Sequence, residues 1–204
     1  MPIEIEAKMR LNEPEALRQT LENLQATPVG AIFETNTFFD DAEGSLKSAD
    51  RGLRIRVEQC DGCDPAVTIT HKGPRTQGQF KSRSESEVRV DDAQRAAALI
   101  GELGYQSVLT FEKRRERWSL DDCQIELDTL PYLGQFIEIE GDSDEAVTAV
   151  REKLGLAEAP LVRNSYVAML SAYLREHDMR TTLIRFSDAD DEFTDTPAPA
   201  SSAS

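Results

Sequence analysis

Charged side chains of one sign recur two residues apart along this chain. Acidic pairs can hold a divalent cation through carboxylate oxygens, and basic pairs can bind phosphate oxygens through charge-assisted hydrogen bonds. The sets are Glu4 and Glu6, Arg54 and Arg56, Lys81 and Arg83, Glu85 and Glu87, Lys113 with Arg115 and Arg117, Glu126 and Asp128, and Glu138 and Glu140. Because a metal that bridges a polyanion needs acids for the metal and bases for the anion, the two kinds of set suit one common site.

The spacing of two indicates β-strands, because residues i and i+2 of a strand point to the same face. In segments 3–8 and 53–58 the charged residues alternate with apolar ones, so one face is apolar and the other charged. One interpretation is a sheet with a solvated face. Like charges about 7 Å apart on one strand repel each other, however, and like charges on paired strands are destabilising. The pattern therefore favours a face that binds a ligand.

Four segments have helical periodicity. A helix is predicted over 13–26 with Asn12 as its N-cap, a second is predicted to be capped by Asp91 and a third by Asp142, and a fourth covers 163–178. Their apolar stripes predict faces that pack on a sheet, and the stripes are Leu17, Leu21 and Leu24; Ala96, Leu99, Ile100 and Leu103; Val147, Val150 and Leu154; and Tyr166, Met169, Leu170, Tyr173 and Leu174. Turn signals between the other segments indicate about eight hairpin-linked strands. We therefore expect an α+β fold: a closed antiparallel β-barrel, or tunnel, with the helices packed outside, because closing eight strands leaves room for one small ligand.

These residues resemble the CYTH superfamily, the triphosphate tunnel metalloenzymes, over about residues 1–175. The motifs that carry the resemblance follow the order of that family, and they are Glu4-x-Glu6-x-Lys8, Leu53-Arg54-Ile55-Arg56, Lys72-Gly73-Pro74, Lys81-x-Arg83-x-Glu85-x-Glu87, Lys113-Arg114-Arg115, Glu126-Leu127-Asp128 and Gly134 to Glu140. Each motif is weak by itself, and their common order is specific.

The resemblance implies roles for individual residues. Glu4, Glu6 and Lys8 would be catalytic. The metal ligands for Mg²⁺ or Mn²⁺ would be Glu4, Glu6, Glu126, Asp128, Glu138 and Glu140. The triphosphate would be bound by Lys8, Arg54, Arg56, Lys72, Lys81, Arg83, Lys113 and Arg115, with Glu85 and Glu87 organising those bases or touching metal. At each single position a structural salt bridge is the alternative.

Within the superfamily, the stretch from Lys72 to Glu87 and the segment Asn36-Thr37-Phe38-Phe39-Asp40 are similar to class IV adenylyl cyclases. The resemblance thus implies conversion of ATP to cyclic AMP and pyrophosphate. Hydrolysis of inorganic, thiamine or nucleoside triphosphate is an alternative, and non-catalytic binding of polyphosphate or nucleotide is another. The resemblance also implies a homodimer as one oligomeric state.

Composition restricts the class of protein. The 204 residues include 38 acids and 23 bases, for a net charge of −15, which argues against binding of long nucleic acid because that binding relies on basic surface. No apolar run reaches the about 18 to 20 residues of a membrane span. Three cysteines cannot all pair within one chain, and Cys60 with Cys63 offers too few ligands for zinc. We expect a cytoplasmic protein with one domain over 1–186 and a disordered acidic tail over 187–204.

Overall fold

The computed structural model describes residues 3–76 and 78–189, apart from the side chains of Ile3 and Glu4. Residues 190–204, which make up most of the predicted acidic tail, lie outside this description. The strands are β1 (Ile3–Arg10), β2 (Thr27–Asp40), β3 (Gly52–Gln59), β4 (Ala66–Thr76), β5 (Lys81–Val90), β6 (Gln106–Leu120), β7 (Cys123–Leu130), β8 (Gly134–Gly141) and β9 (Leu183–Ile184). The helices are α1 (Pro14–Asn23), α2 (Ser45–Ser48), α3 (Ala93–Glu102), α4 (Asp144–Lys153) and α5 (Tyr166–Glu176), followed by a 3₁₀-helix at Phe186–Asp188.

Eight strands form a closed ring in the order β2-β3-β4-β5-β1-β8-β7-β6, and β6 returns to pair with β2. Every pairing in this ring is antiparallel. The short β9 lies outside the ring and runs parallel to β6 at Thr110 and Phe111. The ring confirms the predicted closed antiparallel barrel.

Tight turns set the register of the strands that carry charge. Asp121 has a φ of 51° in the turn between β6 and β7, a left-handed conformation that Asp tolerates. With this turn, Arg115 lies opposite Asp128 and Arg117 lies opposite Glu126. The next hairpin sets Glu126 opposite Glu138. Acidic and basic side chains from three strands are thereby brought to one level of the barrel.

Alternation along the strands separates two environments. On the outer wall, Leu21 of α1 and Val147 of α4 pack against Met9, Ile125 and Ile139, all of which are fully buried. Burying each such side chain contributes about 1.5–3 kcal/mol. The charged residues between these apolar positions consequently face the interior of the ring.

Two further apolar clusters hold the other helices. Ala96 and Ile100 of α3 pack on Ile55 and Val67 of the outer wall. The cluster of α5 is different, because it includes Phe136, which lies two residues before the inward-facing Glu138 and therefore faces the interior as well. The same cluster contains Leu109, Phe111, Leu130, Leu170 and Leu174. The interior of the barrel is therefore apolar at one end, and α5 lies across that end.

The structure corrects local details of the predicted helices. The side chain of Asp92, and not that of Asp91, caps α3 by accepting from Gln94 N and Arg95 N. Ser143, and not Asp142, caps α4. The N-cap of α1 is Glu13, which makes no side-chain capping bond, so the capping role expected of Asn12 is wrong.

The prediction that Leu99 and Leu103 pack on the sheet is also wrong. They are 61% and 69% exposed. The residues of α3 that pack on the barrel are Ala93, Ala96, Ala97 and Ile100.

Cys60 and Cys63 form a disulfide in the hairpin that joins β3 to β4, and Cys123 is a buried free thiol. No helix within residues 3–76 and 78–189 has the length and apolar character needed to cross a membrane.

Candidate functional site

A cavity of about 1160 Å³ occupies the interior of the barrel. Its wall includes most of the residues that the sequence predicted to bind metal or phosphate. These are Glu6, Lys8, Arg54, Arg56, Lys72, Lys81, Arg83, Glu85, Glu87, Lys113, Arg115, Glu126, Glu138 and Glu140. Seven of the eight ring strands contribute to this set, so only the closed barrel brings these side chains together.

Two predicted residues need separate mention. Asp128 is 1% exposed and lies behind the cavity surface, where it accepts hydrogen bonds from Arg115, Lys113 and Tyr166. The side chain of Glu4 lies outside the described part of the structure, although its backbone pairs with that of Arg83.

The centre of the site is a group of three buried carboxylates, those of Glu126, Asp128 and Glu138. One oxygen from each lies within 4.8 Å of the others. Arg115 makes an ion pair with all three, at 2.6 Å to Asp128 Oδ2 and 2.7 Å to Glu138 Oε2, with a further contact to Glu126. We call Glu126, Asp128 and Glu138 the carboxylate triad.

Lysines link the triad to β1 and β5. Lys8 Nζ lies 2.9 Å from Glu138 Oε1, and Lys81 Nζ lies 2.9 Å from Glu6 Oε2. Burial would lower the pKa of Lys8, but the charges of Glu138 and Glu6 outweigh it and raise that pKa. Burial would likewise raise the pKa of Glu138, but Lys8 and Arg115 hold it well below its usual range. Both groups therefore stay charged at neutral pH.

The structure adds Glu34, which the sequence analysis did not select. Glu34 is completely buried and lies 3.1 Å from Lys113 Nζ and 3.5 Å from Arg56 Nε. It also lies within 4 Å of Arg115 and Arg117. Burial would raise its pKa, but the charges of Lys113, Arg115 and Arg56 outweigh that effect and hold the pKa well below its usual range. Glu34 is the shared counterion of these four basic side chains.

Asn36, Glu58 and Arg117 also line the cavity, although none of them was assigned a role in binding metal or triphosphate. Asn36 Nδ2 donates to Glu34 Oε2 at 3.0 Å, and Arg117 Nη2 donates to Glu58 Oε1 at 2.8 Å. Glu58 and Arg117 did stand in the alternating pattern of β3 and β6. That pattern was the signal that could have placed them in the site.

Some arginines of the cavity wall have hydrogen-bond donors that no group in the described part of the protein accepts from. Arg54, Arg83 and Arg117 each have a buried Nε with no hydrogen-bond partner among the described residues. Buried donors are usually hydrogen-bonded, so this arrangement is typical of a site that binds an acceptor-rich ligand. Burial and the neighbouring Arg56 lower the pKa of Arg54 to about 10, which leaves the guanidinium charged at neutral pH.

Tyr166 of α5 joins the charged and apolar parts of the cavity. Its hydroxyl donates to Asp128 Oδ2 at 2.9 Å, and Lys8 Nζ lies 3.7 Å from the centre of its ring. The sequence predicted Tyr166 only as part of an apolar stripe. Beyond it, the cavity wall is formed by Phe38, Val108 and Ala172 with other apolar side chains.

The donor set fits a hard divalent cation. Mg²⁺ and Mn²⁺ prefer oxygen ligands, and carboxylates are their usual protein ligands. The carboxylate triad offers three such groups within reach of one ion, and Glu6 and Glu140 lie on the neighbouring cavity wall.

A closed antiparallel barrel with a cavity lined by acids and bases defines a narrow class of proteins. Residues 2–166 match the model of the CYTH domain family, and the chain belongs to that family. Adenylate cyclase CyaB of Aeromonas hydrophila is 30% identical over 173 residues, which cover 80% of this chain and 86% of that protein.

Solved structures have the same fold. The PH1819 protein of Pyrococcus horikoshii superposes with a TM-score of 0.74 at 26% identity, covering 83% of this chain and 99% of that one. HpAC1 of Hippeastrum, described as having a dominant triphosphatase activity, superposes with a TM-score of 0.66 at 23% identity, covering 85% and 96% of the two chains.

Proposed function

We propose that this protein is a divalent-metal-dependent enzyme that acts on a small molecule containing a triphosphate, and that the reaction is conversion of ATP to cyclic AMP and pyrophosphate. The observation that carries the proposal is the meeting of the carboxylate triad with arginine and lysine side chains around one cavity of the barrel. Binding of an anion alone would not need buried acids, which repel it.

In this proposal the basic residues neutralise and orient the triphosphate. Arg54 and Arg56 lie on β3 and Arg83 lies on β5, with β4 between the two strands. All three line the cavity and carry guanidinium groups that match phosphate oxygens. A cation held by the triad would stabilise negative charge that develops on the phosphoryl oxygens. The ribose 3′-oxygen forms a bond to the α-phosphorus as its proton is lost, and the bond from the α-phosphorus to the bridging oxygen breaks. Pyrophosphate leaves toward Arg54, Arg56 and Arg83 and carries the proton with it. Catalysis then consists of positioning and electrostatic stabilisation.

Triphosphate hydrolysis is the second candidate, and the similarity to HpAC1 favours it. The same residues would bind the same phosphates, but water would attack the terminal phosphorus. The two reactions differ in which atom of the substrate lies beside the triad. A non-catalytic polyphosphate binder is the third candidate.

The apolar end of the cavity supports an organic triphosphate over an inorganic one. Phe38, Val108 and Ala172 offer contact to a flat apolar group, and the volume of about 1160 Å³ suits a complete nucleotide. Inorganic triphosphate would leave this end without a partner.

One incubation separates the candidates. The purified protein receives ATP, inorganic triphosphate or thiamine triphosphate with Mg²⁺ or Mn²⁺, and cyclic AMP and free phosphate are measured by chromatography. Cyclic AMP supports the cyclase, phosphate release supports the triphosphatase, and saturable binding without product supports the binder. A Glu116→Gln variant assayed in parallel is the control for removal of a carboxylate outside the cavity. Glu116 lies on the outer wall, where it binds Arg18 at 2.5 Å.

A further inference from the structure

Arg115 occupies the centre of the carboxylate triad as a cation would. Its Nε and Nη2 each lie 2.6 Å from an oxygen of Asp128, and Nη2 also lies 2.7 Å from Glu138 Oε2. Its Nη1 contacts Glu126 Oε2. One guanidinium therefore uses both oxygens of Asp128 and one oxygen of each other carboxylate.

These contacts compete with a metal for the same oxygens. A Mg²⁺ ion binds its oxygen ligands at about 2.0–2.1 Å and demands near-octahedral geometry. The positive guanidinium would lie next to that ion and repel it. The carboxylate triad can hold one of the two cations well, but it cannot hold both in the present arrangement.

A second place for the guanidinium exists nearby. Glu34 Oε1 is buried, has no hydrogen-bond partner among the described residues, and lies 3.7 Å from Arg115 Nε. A buried acceptor without a donor is unfavourable by about 1–3 kcal/mol. A small rotation of Arg115 away from the triad would give this oxygen a donor and turn the guanidinium toward the cavity.

We propose that Arg115 is an exchangeable internal cation: a divalent metal displaces it from the carboxylate triad, and the released guanidinium turns to Glu34 and the bound triphosphate. The inference rests on the proposed function, since it requires that metal and triphosphate bind here. It adds that the two ligands bind cooperatively, because each favours the same position of Arg115.

The test measures Mn²⁺ binding by electron paramagnetic resonance without substrate and then with a non-hydrolysable ATP analogue. The variants are Arg115→Met and the matched control Arg56→Met. The control removes one charge from the same cavity, but the ion pairs of Arg56 are with Glu34 and Glu58 and not with the triad. Both variants lower the positive potential in the cavity. An increase in Mn²⁺ affinity that is common to both therefore reports only long-range electrostatics. We expect Arg115→Met to bind Mn²⁺ at least about tenfold more tightly than Arg56→Met, in the range of close charge pairs.

The analogue should tighten Mn²⁺ binding to the wild type by about tenfold, and this gain should be lost in Arg115→Met. Because Arg115→Met could fail to fold, a second measurement uses the wild type: the Nε–Hε resonance of Arg115, assigned with Arg115→Lys, should shift on Mg²⁺ saturation more than that of Arg56.

Three outcomes overturn the exchange. The first is an equal gain in Mn²⁺ affinity in both methionine variants, the second is weaker Mn²⁺ binding in Arg115→Met, and the third is an Arg115 resonance that does not shift. Each would leave the proposed function intact. Absence of Mn²⁺ binding in the wild type and in every variant would instead refute the proposed function, and the exchange would be refuted with it.

Discussion

Replacing Glu34 by Gln should destabilise the protein far more than replacing Glu58 by Gln. Both carboxylates contact Arg56 and Arg117, but the side chain of Glu34 is 0% exposed and that of Glu58 is 24% exposed. Removing one partner of a buried ion network leaves uncompensated charge and costs about 3–5 kcal/mol. A partly exposed pair contributes about 0–1 kcal/mol.

The difference is measured by thermal unfolding followed by circular dichroism, with urea unfolding as a second measurement. For a chain of this size each kcal/mol corresponds to about 2–4 °C in Tm, so Glu34→Gln should lower Tm by at least about 6 °C and Glu58→Gln by less than about 4 °C. Equal losses in the two variants would contradict the role assigned to burial at Glu34.

The pH dependence supplies an independent check. The pKa of Glu34 is lower in the folded state than its unfolded value of about 4.3. Its contribution is therefore fully present above the unfolded pKa and is lost as the pH falls through the folded pKa. The stability gap between wild type and Glu34→Gln should be constant near pH 7 and shrink on acidification. A gap that grows with acid would refute the assignment.

Four further outcomes are expected. Glu6→Gln should abolish turnover, because Glu6 lies within 4 Å of both Lys8 and Lys81 in the cavity wall; product chromatography checks this, and a normal metal-dependent rate would contradict it. Tyr166→Phe should cost about 1.5–3 kcal/mol in urea unfolding through the lost bond to Asp128. Arg151→Met should cost about 1–3 kcal/mol in the same measurement, because Arg151 Nη2 donates to the carbonyl oxygens of Leu156, Ala157 and Ala159. A chelator should stop product release, and added Mg²⁺ should restore it.

Alternation predicted most of the cavity wall because its period of two is a property of the strand itself. Once Ile137 and Ile139 face the outer helices, Glu138 must face inward. The same argument applies to Lys113 and Arg115, which are both buried. The charged doublets thus indicated the interior face before any pairing was known.

Glu34 could not be found in this way. Its neighbours on the opposite face are Phe33 and Thr35, and its inward neighbour is Asn36, so this part of β2 has neither a doublet of like charges nor a clear apolar face. Its role depends on Arg56 and Arg115, which reach it only through the pairing of β2 with β3 and β6. The exposure of Leu99 could not be predicted from the sequence either. An apolar stripe shows which face of a helix packs on the barrel, but not how much of that face is in contact with it.

The position of β1 between β5 and β8 has a consequence for synthesis on the ribosome. This strand is made first, but its ladder with β8 involves residues as far as Gly141. One edge of β1 therefore stays unpaired until β8 has been translated. A chaperone that shields an open strand edge would act during that interval.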